Sequence, residues 1–463
     1  MEVTLCTSEK GRPLLVIDGY TFSFHKMLAK DTVKRWQCSK RTCKAFVKTQ
    51  STEDTIVESV LDHNHEKLPA DVFNRKLVSN SIKDQAVGNI CEKPLNLIRS
   101  EIKNRGIDTF TTTDIVRVRQ NIYNVRASAL IKIPKNITEF HSAVESSPIM
   151  THKNECFLLK NDKENNIVIF SCLSNLKFLS STSSWYVDGT FEYCPRFFTQ
   201  LFTILGLKND YYVPLVFCLL PNKTSFTYYH AFKYIKEECD KLNYTLSPNI
   251  INADFETAIH KSVYKAFPEA VIRGCRFHLG QSWYRKIQQL GLAAEYQRKN
   301  GNESEITRFL TYIFGLPFLH PEDVGEMFAI DLAEIKPENE KLTEFCDYIV
   351  DNYISENSHF PPHVWAEHSA SLQRTTNACE SFHSKYNSSF YSAHPNINHF
   401  INVLLQFQID TSIKINSVFS TPKAIDSRSL IKAKFLNEKL DDLKNHKINK
   451  FEFVKAVSYR FRA

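Results

Sequence analysis

Three acids stand in separate and chemically distinctive surroundings. Asp188 lies in Trp185-Tyr186-Val187-Asp188-Gly189-Thr190-Phe191, Asp254 in Asn252-Ala253-Asp254-Phe255-Glu256, and Glu380 in Thr376-Asn377-Ala378-Cys379-Glu380-Ser381-Phe382-His383. The first two fall where predicted strands end, and the third on a predicted helix. Hard divalent ions such as magnesium or manganese take oxygen ligands. Two such ions close together activate the attacking oxygen and stabilise the leaving one in an in-line displacement at phosphorus. Asp188, Asp254 and Glu380 are therefore candidate ligands for magnesium or manganese in nucleic-acid strand chemistry.

Taken singly, each acid has a plainer reading. Asp188-Gly189 is a turn dipeptide. Asp254 can N-cap a helix starting near Thr257, and Asn377 to Glu380 has the spacing of a capping box. Glu380, His383, Ser384 and Asn387 share one polar helix face at i, i+3, i+4 and i+7, which implies either solvent or a site. Between the second and third acids lies Cys275-Arg276-Phe277-His278. Its Cys-x-x-His pattern reads as half of a second zinc site with Cys379 and His383, as two core residues, or as a group beside the metals.

The elements that must position these acids follow from periodicity. Strands are expected at 185–187, 199–206 and 212–218, then a helix at 225–243, a strand at 250–253, a helix at 257–267 and a strand at 271–274. This is the order of a ribonuclease-H-like core, in which the first and fourth strands are neighbours and set Asp188 beside Asp254. Residues 284–370 break the pattern with helical segments, and a helix restarts near Asn377. Residues 71–135 also read as helical, with Thr111-Thr112-Thr113-Asp114 as an N-cap cluster. Arg117, Arg119 and Arg126 on that stretch face either DNA or solvent.

The N-terminal stretch reads as short alternating strands. Cys38-x4-Cys43 followed by His63-Asn64-His65 offers two thiolates and two imidazoles, a closed tetrahedral zinc set. In a strand the two histidines would share a face. A small β-domain gains stability from such a metal. Lys26, Lys30, Lys34, Arg35, Lys40, Arg41, Lys44 and Lys48 face one acid, Asp31, over this stretch. Lys34, Arg35, Lys40, Arg41 and Lys44 are the candidate DNA-phosphate contacts. A second basic zone includes Lys444, Lys447, Lys450, Lys455, Arg460 and Arg462. The whole chain of 463 residues carries a formal net charge of +7, only mildly basic. Its 12 cysteines are too few for a disulfide scaffold, and no apolar run is long enough to cross a membrane. A soluble, intracellular protein with reduced thiols is expected.

The expected fold class is α/β (α+β multidomain), with a ribonuclease-H-like core interrupted by a helical insertion and preceded by a β-rich zinc finger and a helical region. The expected divisions are a finger at 1–68, a helical region at 69–150, the core at 151–290, the insertion at 291–370, the rest of the core at 371–410 and a basic tail at 411–463.

Tyr20, Phe22, Phe24, Trp36, Cys38, Cys43, His63 and His65 resemble a FLYWCH-type zinc finger, a DNA-binding module. Asp188-Gly189-Thr190-Phe191, Asn252-Ala253-Asp254, Cys275-x-x-His278 and Thr376-Asn377-x-x-Glu380-Ser381-x-His383 resemble the Mutator-like element (MULE) transposases over roughly residues 155–410. That resemblance implies a DDE triad of Asp188, Asp254 and Glu380. It also implies a role for Cys275 and His278 in handling the cut strand, with His278 catalytic and Cys275 and His383 auxiliary. It implies nuclear cut-and-paste chemistry on double-stranded DNA at terminal inverted repeats, carried out by a homo-oligomer. A domesticated, zinc-finger DNA-binding regulator without catalysis is the alternative.

Overall fold

A computed structural model of the chain describes residues 3–7, 12–28, 32–52, 55–146, 148–298, 303–371, 373–420 and 427–461. Lys30, Asp31 and Arg462 of the basic stretches lie outside them. The chain divides into two units, Met1–Ile133 and Pro134–Ala463.

The first unit opens with β1 (Val3–Thr7), β2 (Pro13–Ile17), β3 (Tyr20–Leu28), β4 (Val33–Cys38), β5 (Phe46–Gln50) and β6 (Ile56–Val60), an antiparallel meander in chain order. Asp18 and Gly19, both at positive φ (47° and 82°), make the two-residue hairpin between β2 and β3. Alternation sends Leu15, Ile17, Phe22, Trp36 and Val47 to one small core that also holds Cys38 and Cys43. Three helices follow, α1 (Ala70–Gly88), α2 (Pro94–Arg105) and α3 (Thr112–Ala129), around a separate core of Val78, Ile82, Ile98, Val118 and Ile122. Arg126 does not face DNA. It is buried and donates to the carbonyls of Ala86, Asn89 and Glu92, whereas Arg117 and Arg119 are exposed.

The N-cap cluster forms as a capping box between Thr111 and Asp114 at the start of α3. Arg75 Nη1 adds an ion pair to Asp114 Oδ1 at 2.8 Å. The Arg75 guanidinium and the Thr111 bonds hold the Asp114 carboxyl below its ordinary range. A carboxyl depressed in the folded state stabilises above its unfolded value, and that stability is lost as pH falls through the folded value. Asp114→Asn should cost about 1–3 kcal/mol at neutral pH, read as lost hydrogen-exchange protection of α3 amides in the full chain. The gap to the parent should close only in acid, as Asp114 itself protonates.

The second unit begins with α4 (Ile137–Glu145), β7 (Leu158–Asp162), β8 (Ile167–Phe170), α5 (Leu173–Ser180), β9 (Ser184–Thr190), β10 (Gln200–Lys208), β11 (Tyr211–Leu220), α6 (Ser225–Lys241), β12 (Ile250–Ala253), α7 (Thr257–Ala266) and β13 (Val271–Gly274). These strands make one sheet in the order β13-β12-β9-β10-β11-β8-β7. β9, β10 and β11 pair antiparallel, and β12 runs parallel to both β9 and β13. Pro214 is accommodated next to a register shift between Ile204 and Leu205. Alternation along β9 sends Trp185 and Val187 into a core with α6 and α7, where Trp185 meets Phe267 edge-on at 5.2 Å. Tyr186 points to the opposite face and packs on Cys379.

After the sheet come α8 (Arg276–Gln289), α9 (Ala293–Tyr296), α10 (Glu305–Ile313), α11 (Pro321–Glu326), α12 (Glu340–Ile349) and α13 (Pro362–Trp365). α11 and α12 run on into π-helical turns at Met327–Leu332 and Val350–Ile354. The chain then forms α14 (Asn377–Ser388), α15 (Ile397–Ser420), α16 (Ser427–Lys444) and α17 (Lys450–Phe461). The break expected at residue 411 falls inside α15, and the C-terminal zone is not a basic tail. Leu436, Phe453, Val454 and Val457 join Trp283, Phe314, Phe345 and Trp365 in a second core, so α16 and α17 bury an apolar stripe while their charges stay outside.

Candidate metal centres and acid site

In the finger, Cys38 closes β4, Cys43 sits on the next turn, and the histidines follow β6. The four ligand atoms lie within 4.8 Å of one another. Cys38 Sγ is 3.2 Å from His65 Nε2, and Cys43 Sγ 3.4 Å from His63 Nδ1. Zinc bonded at about 2.3 Å to sulfur and about 2.0–2.1 Å to nitrogen needs sulfur–nitrogen edges of about this length. His65 Nδ1–H donates to the Glu66 carbonyl at 2.8 Å, which leaves the lone pair on Nε2 facing the thiols. The Tyr20 ring stacks on His63 at 3.7 Å. The histidines do not share a strand face as expected. They lie on a bend, held by Asn64 Nδ2 donating to the Thr42 carbonyl at 3.0 Å, and they converge by presenting different ring nitrogens. The donor set and its spacing fit a structural zinc ion.

Of the finger's candidate DNA contacts, Lys40, Arg41 and Lys44 are exposed on the turn that carries Cys43. Lys34 and Arg35 are half-buried in β4 and, as adjacent strand residues, face opposite sides. The Arg35 guanidinium lies 4.8 Å above the Phe46 ring.

In the second unit, β12 pairs with β9 through Ile250↔Ser184, Ile251↔Trp185 and Asn252↔Tyr186. Carried two residues on, this register sets Asp254 beside Asp188, on the Tyr186 face of the sheet. Asp188 is neither a turn residue nor at the strand end. β9 continues to Thr190, and Asp188 is paired with Thr203. Asp254 does not cap α7. Glu256 stands at the cap position, and Asp254 Oδ1 instead accepts from its neighbour Phe255 N–H at 2.6 Å. Nor is Glu380 part of a capping box, because α14 starts after Thr376 and that cap makes no side-chain bond to the helix.

Two histidines join the acids. His278 Nδ1 lies 3.3 Å from Asp254 Oδ1, and its Nε2 2.9 Å from Glu380 Oε1. His383 Nδ1 lies 3.3 Å from Asp188 Oδ2, and its Nε2 3.3 Å from Thr203 Oγ1. Burial alone would push the His278 imidazole down. Its hydrogen bond to Cys275 and the charges of Asp254, Cys275 and Asp188 outweigh burial and lift it to about 9. The Cys275 thiol, which burial alone would raise, is held low by His278 and by the Thr376 bonds. Burial raises the Glu380 carboxyl, as do the charges of Asp188 and Asp254, against the pull of His278.

The sequence reading missed two supports of this site. Thr376 donates to Cys275 Sγ through its backbone N–H at 3.1 Å and its hydroxyl at 3.2 Å. His260 Nε2 bonds the Asp254 carbonyl at 2.9 Å. Thr376 was in view as a motif residue, whereas nothing in the sequence set His260 apart. Cys379 is buried against Tyr186 and Leu205, so it does not join Cys275 in a second zinc site. Among the described residues, the finger alone gathers three or more His, Cys, Asp or Glu ligand atoms within 4.8 Å. The three acids are instead spread around His278.

Gly274 marks a close approach at this site. A Cβ there would come within 2.4 Å of Phe255 Cζ, and Phe255 is confined by Phe360 and Tyr353 at 5.0 and 5.9 Å. Gly274→Ala should cost about 1–3 kcal/mol by overpacking, read as a lower midpoint in thermal melts. It should also shift Phe255, whose N–H holds Asp254.

The four-ligand finger and the acid-lined α/β sheet together define a transposase-related DNA-binding protein. Residues 184–282 match the MULE transposase domain, and residues 5–65 match the FLYWCH zinc finger domain. The first match contains Asp188, Asp254, Cys275 and His278 but stops before Glu380; the second contains all four finger ligands. A comparison with curated proteins gives no match.

Proposed function

We propose that the chain is a MULE-type DDE DNA transposase, cleaving DNA strands and joining them to a target, with its zinc finger binding double-stranded DNA. The observation that carries this reading is the β9–β12 register, which sets Asp188 beside Asp254, with Glu380 brought to the same site through His278. The sheet order and helix crossovers support a ribonuclease-H-like core. The three carboxylates are an all-oxygen donor set whose negative charges act on one another. That fits magnesium or manganese, which would be held by Asp188, Asp254 and Glu380 and would supply activation of the attacking oxygen and stabilisation of the leaving one. His383 and Thr203 orient Asp188, Phe255 N–H orients Asp254, and His278, charged at neutral pH, is placed to meet a DNA phosphate. A nuclear location and a homo-oligomer that synapses two terminal inverted repeats belong to the same reading.

The test is product analysis with the full chain, a duplex bearing such repeats, and manganese or magnesium. Nicked and joined products support the proposal; an intact duplex across both metals sinks it. The second reading, a regulator that binds without cutting, is favoured by the imidazole of His278 standing between Asp254 and Glu380. It predicts site-specific binding that survives Asp188→Ala and fails with Cys38→Ser or His65→Ala.

A further inference from the structure

Beside the acids, on the flank of α8, lies a cavity of about 370 Å³, within the roughly 300–1,000 Å³ of small-molecule sites. Three cations line it, Arg276, Lys432 and Arg460, and no carboxylate does. The Arg276 guanidinium is fixed between the rings of Phe318 and Phe461, at 5.0 and 4.9 Å. Two of the lining side chains keep buried donors without an acceptor, Arg276 Nη1 and Trp283 Nε1. Such donors carry an uncompensated desolvation cost, and a ligand rich in acceptors offsets it.

The cavity is coupled to the acid site through two helix starts. Arg276 and His278 leave the first turn of α8 on nearly opposite sides, because residues two apart are about 200° apart around a helix. One enters the cavity lining and the other meets Asp254 and Glu380. On α14, Asn377 lines the cavity three residues before Glu380. Cavity and acids are thus separated by about one helix width, on the order of 10 Å. The walls also carry ring surface: Phe277 lines the cavity at 45% exposure, with Tyr284 beside it. An inorganic anion would use the cations and leave the rings idle. A nucleotide uses both, its phosphate on the cations and its base on a ring, and stacking of this kind tolerates any base.

We infer that this cavity holds one unpaired nucleotide of the strand next to the phosphate at the acids. The inference rests on the transposase reading and names where part of its substrate sits. Taking a base out of the duplex costs least where it is already unpaired, so single-stranded DNA is the sensitive probe.

The test uses the full chain in EDTA, so that it reads binding without cleavage. The probe is a short single strand carrying 2-aminopurine, compared with its duplex. The parent should quench the 2-aminopurine of the single strand, and Phe277→Ala should abolish the quenching. Lys432→Gln with Arg460→Gln, both on exposed residues, should make the salt dependence of single-strand binding shallower by about 1.4 in log–log slope, at about 0.7 per phosphate contact. A salt slope that changes while quenching persists in Phe277→Ala would reduce the cavity to a phosphate contact and overturn the nucleotide assignment. Unchanged slope and unchanged quenching would overturn it entirely. If the binding results hold but the parent with manganese cuts nothing, the transposase reading fails and the nucleotide site stands.

Discussion

Asp188→Asn and Glu380→Gln should each leave DNA binding at the parent's level and reduce strand cleavage by well over 100-fold. Each change removes one negative charge while keeping the side chain's shape. Loss of an outer-shell partner of a metal ligand costs about 10–100-fold, and loss of a ligand costs more. The expectation is specific to the site's wiring. Asp188 is tied to α14 through His383, and Glu380 to Asp254 through His278, so the three acids act as one unit. The double variant should therefore be little worse than either single one, as for residues that act together. Gel analysis of cleaved strands, beside a binding titration at fixed salt, reads both quantities. Cleavage by either single variant at the parent's rate would remove the acids from the chemistry.

Loss of the finger's zinc should have the next largest effect. In zinc-finger peptides metal binding contributes about 10–16 kcal/mol, and that energy is folding energy. The finger's own core is small, and two of its buried members are the ligands Cys38 and Cys43. Cys38→Ser, or chelation of the parent, should unfold β3 to β5, expose Trp36 and abolish duplex binding. The helices of the first unit, with their own core, and the sheet of the second should keep their protection. Hydrogen exchange resolved by segment, with zinc content measured on the same samples, checks this. A chelated protein that keeps β3 to β5 protected would show the finger to be held by its apolar core alone.

Much of the second unit was legible in the sequence because its strands are short apolar runs punctuated by turn residues. Residues 250–253 and 271–274 form strands as expected, and α6 and α7 begin at the expected residues. The acids' bland readings could not be settled at that level. Whether Asp188-Gly189 turns or continues a strand depends on β10 beside it, which pairs through Thr203 and Gly206 alike. The capping-box spacing at Glu380 was real, but Thr376 is drawn to Cys275, a partner far away in sequence. His383 was read as part of a polar face, and only tertiary packing shows that this face meets Asp188 and Thr203. The C-terminal helices were hidden by their charge: their apolar residues are few, and only contact with the second core shows what they bury.

The central claim is that Asp188, Asp254 and Glu380 form one divalent-cation site. Crystals of the full chain soaked in manganese, measured at the manganese absorption edge, test it most directly. The account predicts anomalous peaks between Asp188 and Asp254 and at Glu380, with His278 withdrawn from between the carboxylates, and no such peaks in Asp188→Asn. Saturating manganese that leaves the acids without a peak and His278 still bridging Asp254 and Glu380 would contradict it.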